Sequence, residues 1–141
     1  MSERYAIVSV ENPDEEVQSF IGRGLSAFNI SQVKDKKFDR ICYVVHDADE
    51  KIVGGILGEV YWGWLFVDLL WIEEELRGQW YGHRLLTQIE ADARQLGAKH
   101  AYLDTFSFQV PDFYKDHGYE IFGELEDFPV GHRKFFFRKE L

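Results

Sequence analysis

The sequence has few of the residues that cross-link or stiffen a small protein. Its 141 residues include one cysteine, three prolines and one methionine. The lone Cys42 excludes a disulfide and a paired-cysteine metal site within one chain, and its apolar neighbours predict a buried strand position. No apolar run approaches the ~20 residues that span a membrane, and no secretory leader is apparent. We therefore expect a soluble cytoplasmic protein without a membrane partner.

Cations are also scarce. Sixteen lysines and arginines stand against twenty-five aspartates and glutamates, which gives a net charge of −9. Because nucleic-acid binding depends on basic patches, no nucleic-acid partner is expected, whereas an amine-bearing substrate would be attracted. The five histidines show no metal-ligand spacing, so the sequence implies no metal.

Apolar residues, in contrast, are plentiful: 45% of the chain is hydrophobic and 16% is aromatic. This is enough for one compact domain covering residues 1–141. Hydrophobic periodicity predicts an α/β fold with a mixed sheet. A first helix should begin at an Asn12 cap with Pro13 in its first turn, and its apolar face should carry Val17, Phe20, Ile21, Leu25 and Phe28. The other predicted helices cover residues 82–96 and 111–117, and the predicted strands cover 5–10, 41–46, 52–60, 65–72, 98–106, 119–123 and 133–139.

The arrangement of these elements follows from the turns between them. The 41–46 and 52–60 strands are joined by a polar turn of hairpin length, so they should be antiparallel. The 65–72 and 98–106 strands flank a helix, so they should be parallel, connected by a right-handed crossover. Three glycines in the 52–60 strand indicate bulges or close backbone approach.

The segment 69–86 has the most informative pattern, since an apolar strand runs into Arg77-Gly78-Gln79-Trp80-Tyr81-Gly82 and then into a helix. Free amides at a helix N-terminus can bind a phosphate, and Arg77 adds a charge. Taken alone, two glycines four residues apart favour a structural turn over any function.

A family resemblance changes that balance. Arg-Gly-x-x-x-Gly between a strand and a helix resembles the pyrophosphate loop of the GNAT superfamily of N-acetyltransferases, with Trp80 where a glycine is usual. Phe113-Tyr114-x-x-x-Gly118-Tyr119 is similar to the Phe-Tyr-x-x-x-Gly-Phe signature that follows the fifth strand in that family. Both motifs occur in the family's order. The resemblance covers roughly residues 40–141.

The resemblance implies a GNAT-type acyl-CoA-binding fold in which two central parallel strands splay apart. Tyr114 matches the tyrosine that donates a proton to the departing thiolate of CoA; its alternative role is a packed core aromatic. Gln109 stands near the position of a cofactor-contacting asparagine. The residues implied to bind acetyl-CoA are Leu70, Trp71, Ile72, Arg77, Gly78, Gln79, Trp80, Tyr81, Gly82, His83 and Gln109.

Acetyl transfer requires a neutral amine, which a carboxylate can provide by accepting a proton directly or through water. Asp68 is the first candidate, because strand alternation places it on one face with Phe66, Leu70 and Ile72. Glu59 in the preceding strand is the second. For each carboxylate the alternative is an ordinary paired or exposed acid.

The sequence thus predicts transfer of an acetyl group from acetyl-CoA to a primary amine of a small molecule or peptide, by direct attack in a ternary complex. The alternative is a non-catalytic acyl-CoA-binding or sensing domain. The run Phe135, Phe136 and Phe137 places rings on both faces of a terminal strand, which favours a homodimer that buries one of them.

Overall fold

The computed structural model describes residues 4–141. These residues divide into two compact units, one within the first 36 residues and one covering Lys37–Leu141. Each unit is described separately below. Within the described residues no helix is both long and apolar enough to cross a membrane.

The first unit consists mainly of one helix, α1 (Glu15–Gln32). Its N-cap is Asp14, whose side chain accepts a hydrogen bond from the Val17 amide at 3.0 Å. The predicted cap at Asn12 and helical position of Pro13 are therefore wrong, because Asp14 supplies the oxygen that the first turn needs. The predicted strand over residues 5–10 is also wrong. Loose alternation predicted it, but alternation does not provide the neighbouring strand that satisfies backbone groups.

The second unit is a six-stranded sheet with two α-helices and a 3₁₀ turn. The strands are β1 (Phe38–His46), β2 (Ile52–Tyr61), β3 (Trp64–Ile72), β4 (His100–Phe106), β5 (Glu120–Glu126) and β6 (Arg133–Glu140), in the order β1-β2-β3-β4-β6-β5. Between β3 and β4 lie the 3₁₀ turn (Glu74–Leu76) and α2 (Tyr81–Gln95), and α3 (Pro111–Asp116) follows β4. Adjacent strands are antiparallel except β3 and β4, which are parallel. The predicted pairing and the mixed α/β fold class are confirmed.

The core lies between α2 and one face of the sheet. Leu85, Leu86, Ile89 and Ala93 are buried on the predicted side of α2, and Gly97 ends the helix at a φ of 95° as predicted. Opposite them, the sheet contributes Ile56, Val60, Leu65, Leu103 and Phe137. At Gly58 the helix approaches so closely that an added Cβ would lie 2.7 Å from Cδ1 of Ile89. Burial of this apolar face is the main favourable contribution to the unit's stability.

A β-bulge at Asp68 divides β3 into two halves. In the antiparallel pairing with β2, Leu57 faces Leu69 but Gly58 faces Val67, so Asp68 has no partner residue in β2. The extra residue reverses the alternation: Leu65 and Val67 are buried toward α2 before it, and Leu70 and Ile72 pack on the same core after it. The prediction that Asp68 shares a face with Leu70 and Ile72 is therefore wrong.

Two further expectations about burial need correction. Cys42 is exposed, because its neighbour Ile41 takes the inward position on the edge strand β1. The strand with three phenylalanines, β6, is not at the sheet edge but lies between β4 and β5. Phe137 is fully buried in the core, and Phe136 faces the opposite side of the sheet near Phe122. An interior strand accounts for rings on both faces without a second subunit.

Candidate active site

A cleft opens where β3 and β4 separate. The two strands pair at three positions, the last being Phe66 with Tyr102, and the bulge at Asp68 follows directly. The cleft has a volume of about 1040 Å³, which is large enough for an extended small-molecule ligand. Its walls are the second half of β3, the loop before α2, the end of β4 and α3.

The cleft brings together most of the residues singled out from the sequence. Twelve of them line it, namely Asp68, Leu70, Trp71, Ile72, Arg77, Gly78, Trp80, Tyr81, Gly82, His83, Gln109 and Tyr114. Gln79 and Glu59 do not. The side-chain Nε2 of Gln79 donates to the carbonyl of Glu75 at 3.1 Å, and Glu59 lies on β2, with a carboxylate oxygen 3.9 Å from the Arg40 guanidinium.

The first turn of α2 offers unpaired backbone amides to this cleft. The residue before the helix, Trp80, makes no side-chain capping hydrogen bond, and the first turn contains no acidic residue. The first amide to close a helical turn is that of Arg84, which donates to the Trp80 carbonyl at 2.9 Å. The amides before it are therefore available to an anionic group, which the helix dipole also favours.

The loop that leads into α2 has two residues with left-handed backbone. Gly78 has a φ of 79° and Trp80 a φ of 70°. A glycine adopts this conformation freely, whereas for a tryptophan it costs roughly 1 kcal/mol. Trp80 thus takes the backbone shape that favours glycine, and its side chain is largely exposed beside the ring of His83. The Arg77 side chain braces the loop, since its Nε donates to the Ile72 carbonyl at 3.0 Å.

Gly82 is not required by the protein's own packing. An added Cβ would lie 3.4 Å from the nearest atom of the Phe113 ring, which is ordinary contact, and its φ is not in the left-handed region. Space at this position, on the wall of the cleft, therefore remains available for a ligand.

Two histidines connect α2 to α3 at one end of the cleft. His83 Nδ1 and His117 Nε2 are 2.8 Å apart, and His117 Nδ1 is 2.7 Å from the carbonyl of Phe113. The carbonyl can only accept, so Nδ1 of His117 carries a proton and donates to it. The His83 ring, in the first turn of α2, is thus held by a hydrogen bond to His117 at the end of α3.

Tyr114 faces the cleft from α3. The residue is 8% exposed, and its ring packs near Phe113, Tyr119 and Phe137. Burial raises the pKa of the Tyr114 phenol to about 12, and the negative charge of Asp104 adds to the effect. The hydroxyl therefore stays protonated throughout the physiological range and can act as a proton donor. Tyr114 therefore packs in the core and also lines the cleft, so both roles considered from the sequence fit its position.

Gln109 closes the end of β4. Its Oε1 accepts hydrogen bonds from the Thr105 hydroxyl and the Phe106 amide, both at 2.8 Å. The side-chain oxygen is thus engaged in shaping the loop at the mouth of the cleft.

Asp104 is a cleft residue that the sequence reasoning missed. It lies two positions beyond the last residue of β4 that pairs with β3, and lines the cleft with Asp68 and Tyr114. The signal was present in the alternation of β4, where Ala101, Leu103 and Thr105 are buried and the residues between them are not. An acid at an outward position beside the strand separation would have been identified from that pattern.

A metal centre is not evident in this unit or elsewhere in residues 4–141, where no group of three or more histidine, cysteine, aspartate or glutamate side chains could hold an ion. The expectation that the reaction needs no metal stays a prediction.

Comparison with known proteins agrees with this architecture. Residues 7–119 match the model of the acetyltransferase (GNAT) family. The chain is 39% identical over 102 residues to the blasticidin-S acetyltransferase of Streptomyces morookaense, covering 70% of this chain and 75% of that protein. It is 30% identical over 112 residues to an acetyltransferase of Agrobacterium fabrum, covering 79% and 82%.

A solved structure shows the same fold. The crystal structure of an acetyltransferase from Bacillus cereus superposes with a TM-score of 0.84 at 37% identity, covering 95% of this chain and 98% of that one. The chain therefore belongs to the GNAT acetyltransferase family.

Proposed function

We propose that the protein transfers the acetyl group of acetyl-CoA to a primary amine of a small molecule or peptide, by direct attack in a ternary complex. One observation carries the proposal: the separation of β3 and β4 opens directly between the uncapped start of α2 and the protonated phenol of Tyr114. A site for an anionic, extended donor and a site for an acid thus occupy one cleft. The 39% identical relative named for acetylation of blasticidin S supports a small-molecule acceptor.

Residues on two sides of the cleft would hold acetyl-CoA as cosubstrate. The amides at the start of α2, with Arg77 nearby, suit the pyrophosphate, and Gly82 leaves room for it. Backbone groups of Leu70, Trp71 and Ile72 lie beyond the last β3–β4 pair and would bind the amide groups of the pantetheine arm. Trp80 supports this assignment, because its left-handed backbone shapes the loop as a glycine would.

In the proposed reaction the amine nitrogen attacks the thioester carbonyl carbon, a C–N bond forms and the C–S bond breaks. Tyr114 donates its phenolic proton to the departing sulfur, and its raised pKa keeps that proton available at neutral pH. Before the attack the acceptor ammonium loses one proton to Asp68, directly or through water. As the C–N bond forms the nitrogen loses a second proton, which replaces the one that Tyr114 gave to sulfur. Glu59, which does not line the cleft, would act only through intervening groups.

The decisive experiment combines calorimetric binding of acetyl-CoA with a spectrophotometric assay of thiol release. Wild-type protein should bind acetyl-CoA and release CoA in the presence of blasticidin S, an aminoglycoside, spermidine or a lysine peptide. Gly82→Glu introduces a side chain and a negative charge beside the proposed phosphate site, so acetyl-CoA affinity should fall by at least about 100-fold. Gly123→Glu is the control, since it adds the same side chain on β5, where an added Cβ meets nothing closer than 3.9 Å.

Two results would change the conclusion. Equal affinity of Gly82→Glu and wild type would remove the loop from the cosubstrate site. Tight acetyl-CoA binding without thiol release for any acceptor would favour the non-catalytic acyl-CoA-binding alternative.

A further inference from the structure

The structure already holds one primary ammonium group beside the cleft. Lys134 on β6 places Nζ 3.5 Å from Oδ1 of Asp104, and Asp104 lines the cleft itself. Both side chains are partly exposed, at 22% for Lys134 and 34% for Asp104. One oxygen of the Asp104 carboxylate is thus paired with Lys134, and the group remains accessible from the cleft.

Three aromatic rings also lie around the lysine ammonium. The Nζ atom lies 5.0 Å from the ring centre of Phe128, 5.5 Å from that of Phe106 and 5.6 Å from that of Phe136. Rings at such distances attract a cation through their quadrupole. These rings stabilise the lysine's charge, so Asp104 is not its sole source of compensation.

Asp104 also lines the same cleft as the proposed proton donor, Tyr114. Burial raises the pKa of the Tyr114 phenol and the charge of Asp104 adds to it; for Tyr102, Asp104 adds to the larger effects of burial, Tyr61 and Glu59. Tyr102 is in the last pair between β3 and β4, and its ring stacks on Phe66 with centres 4.8 Å apart. An ammonium at the open edge of Asp104 would therefore lie at the point where the strands separate, bordered by a flat aromatic pair.

We propose that Asp104 binds the primary ammonium group of the acceptor and that Lys134 lowers the strength of this interaction by sharing the carboxylate. The inference rests on the proposed acetyl transfer and names the residue that selects cationic acceptors. Asp104 orients the amine toward the thioester, and Asp68 remains the group proposed to accept the proton. Acceptors without a positive charge gain nothing from this contact.

The test uses two substitutions that break the same ion pair from opposite sides. Asp104→Asn removes the carboxylate charge and should raise the KM of a cationic acceptor by about tenfold or more, with acetyl-CoA affinity unchanged. Lys134→Met leaves Asp104 unshared and places an apolar side chain among the three phenyl rings, so the KM should fall by about two- to fivefold. Asp112→Asn on α3, an exposed acid outside the cleft paired with Lys115 at 3.8 Å, is the matched control and should leave the KM unchanged.

The readout is steady-state kinetics with blasticidin S and spermidine at saturating acetyl-CoA, alongside thermal melting of each variant. If the Asp104–Lys134 pair were only structural, both substitutions would lower the melting temperature and change the KM in the same direction. That result, or an unchanged KM in Asp104→Asn, would overturn the assignment while leaving acetyl transfer intact. Failure of wild-type protein to acetylate either amine would instead count against both this assignment and the proposed function, and calorimetry would show whether acetyl-CoA still binds.

Discussion

Replacing Tyr114 with phenylalanine isolates the proposed acid from its structural role. The substitution keeps the ring, and with it the packing against Phe113, Tyr119 and Phe137, whose ring centres lie 5.1, 6.0 and 6.0 Å away. Because no core volume is lost, we expect the melting temperature to change by no more than about 3 °C. The cleft and its acetyl-CoA affinity should be unaffected.

The rate is where the hydroxyl should matter. A thiol of pKa near ~8.5 leaves poorly as a bare thiolate from a largely apolar pocket, and a positioned general acid contributes about 10²-fold. We therefore expect kcat of Tyr114→Phe to fall by about 10²-fold. Because the pKa of the Tyr114 phenol is about 12, its ionisation should not lower the wild-type rate below pH ~10.

The control is the same substitution at the neighbouring buried tyrosine. Tyr119 donates to Oε2 of Glu90 at 2.8 Å and lies outside the cleft, so Tyr119→Phe should lower stability and leave kcat nearly unchanged. Rates are measured by thiol release at saturating acceptor, with viscosity dependence used to establish that chemistry limits turnover. If chemistry is limiting and Tyr114→Phe matches the wild-type kcat, Tyr114 is only a core aromatic and the acid assignment is wrong.

Four further outcomes are expected. Trp80→Gly removes a non-glycine residue from a left-handed backbone conformation, so the free energy of unfolding should rise by roughly 1 kcal/mol. The affinity for acetyl-CoA should stay within about threefold of wild type. A larger loss of affinity in calorimetry would show that the indole itself contacts the ligand. Gly58→Ala should lower the free energy of unfolding in urea by about 1–3 kcal/mol, because its Cβ would meet Ile89 at 2.7 Å, whereas Gly123→Ala has room and should change it little. The pKa of Tyr114 is about 12 in the folded state against 10 in the unfolded chain, so the stabilising contribution of the neutral phenol is complete below pH ~10 and is lost as the pH rises through 12. In denaturant titrations the free energy of unfolding should therefore fall less at alkaline pH in Tyr114→Phe than in wild type. The homodimer expected from the phenylalanine run stays a prediction that has lost this support, because β6 is an interior strand; light scattering at about 50 μM tests it, and a monomer mass would count against it.

The sequence predicted the sheet well because its signals there were local and repeated. Alternation, a polar hairpin turn and a Gly97 stop identified β1, β2 and α2, and the crossover rule gave the parallel pair. The pyrophosphate-loop resemblance led to residues that line the cleft because loop and helix are contiguous in the chain. Its one exception, Gln79, bonds backward to Glu75, a choice that spacing does not encode.

The failures share a different cause. Asp68 was assigned to a face by simple alternation, and a bulge, which depends on pairing with β2, reversed that assignment. Asp104 was overlooked because its importance comes from where β3 stops pairing with β4 and from Lys134 on a strand 30 positions later. The predicted start of α1 was wrong because the pattern Asn12-Pro13 favours a cap at Asn12, whereas the hydrogen bond from the Val17 amide makes Asp14 the cap.

The bulge at Asp68 depends on a single inserted residue, so one deletion could remove it. Without that residue, Leu65, Val67, Leu70 and Ile72 would follow at even spacing, all toward α2, and β3 could continue its ladder. Deletion of one codon is therefore expected to yield a more regular sheet that no longer has a slot for a donor. The extra residue thus interrupts the regular pairing of β3 at the point where the cleft opens, so one insertion couples sheet irregularity to a ligand-sized space.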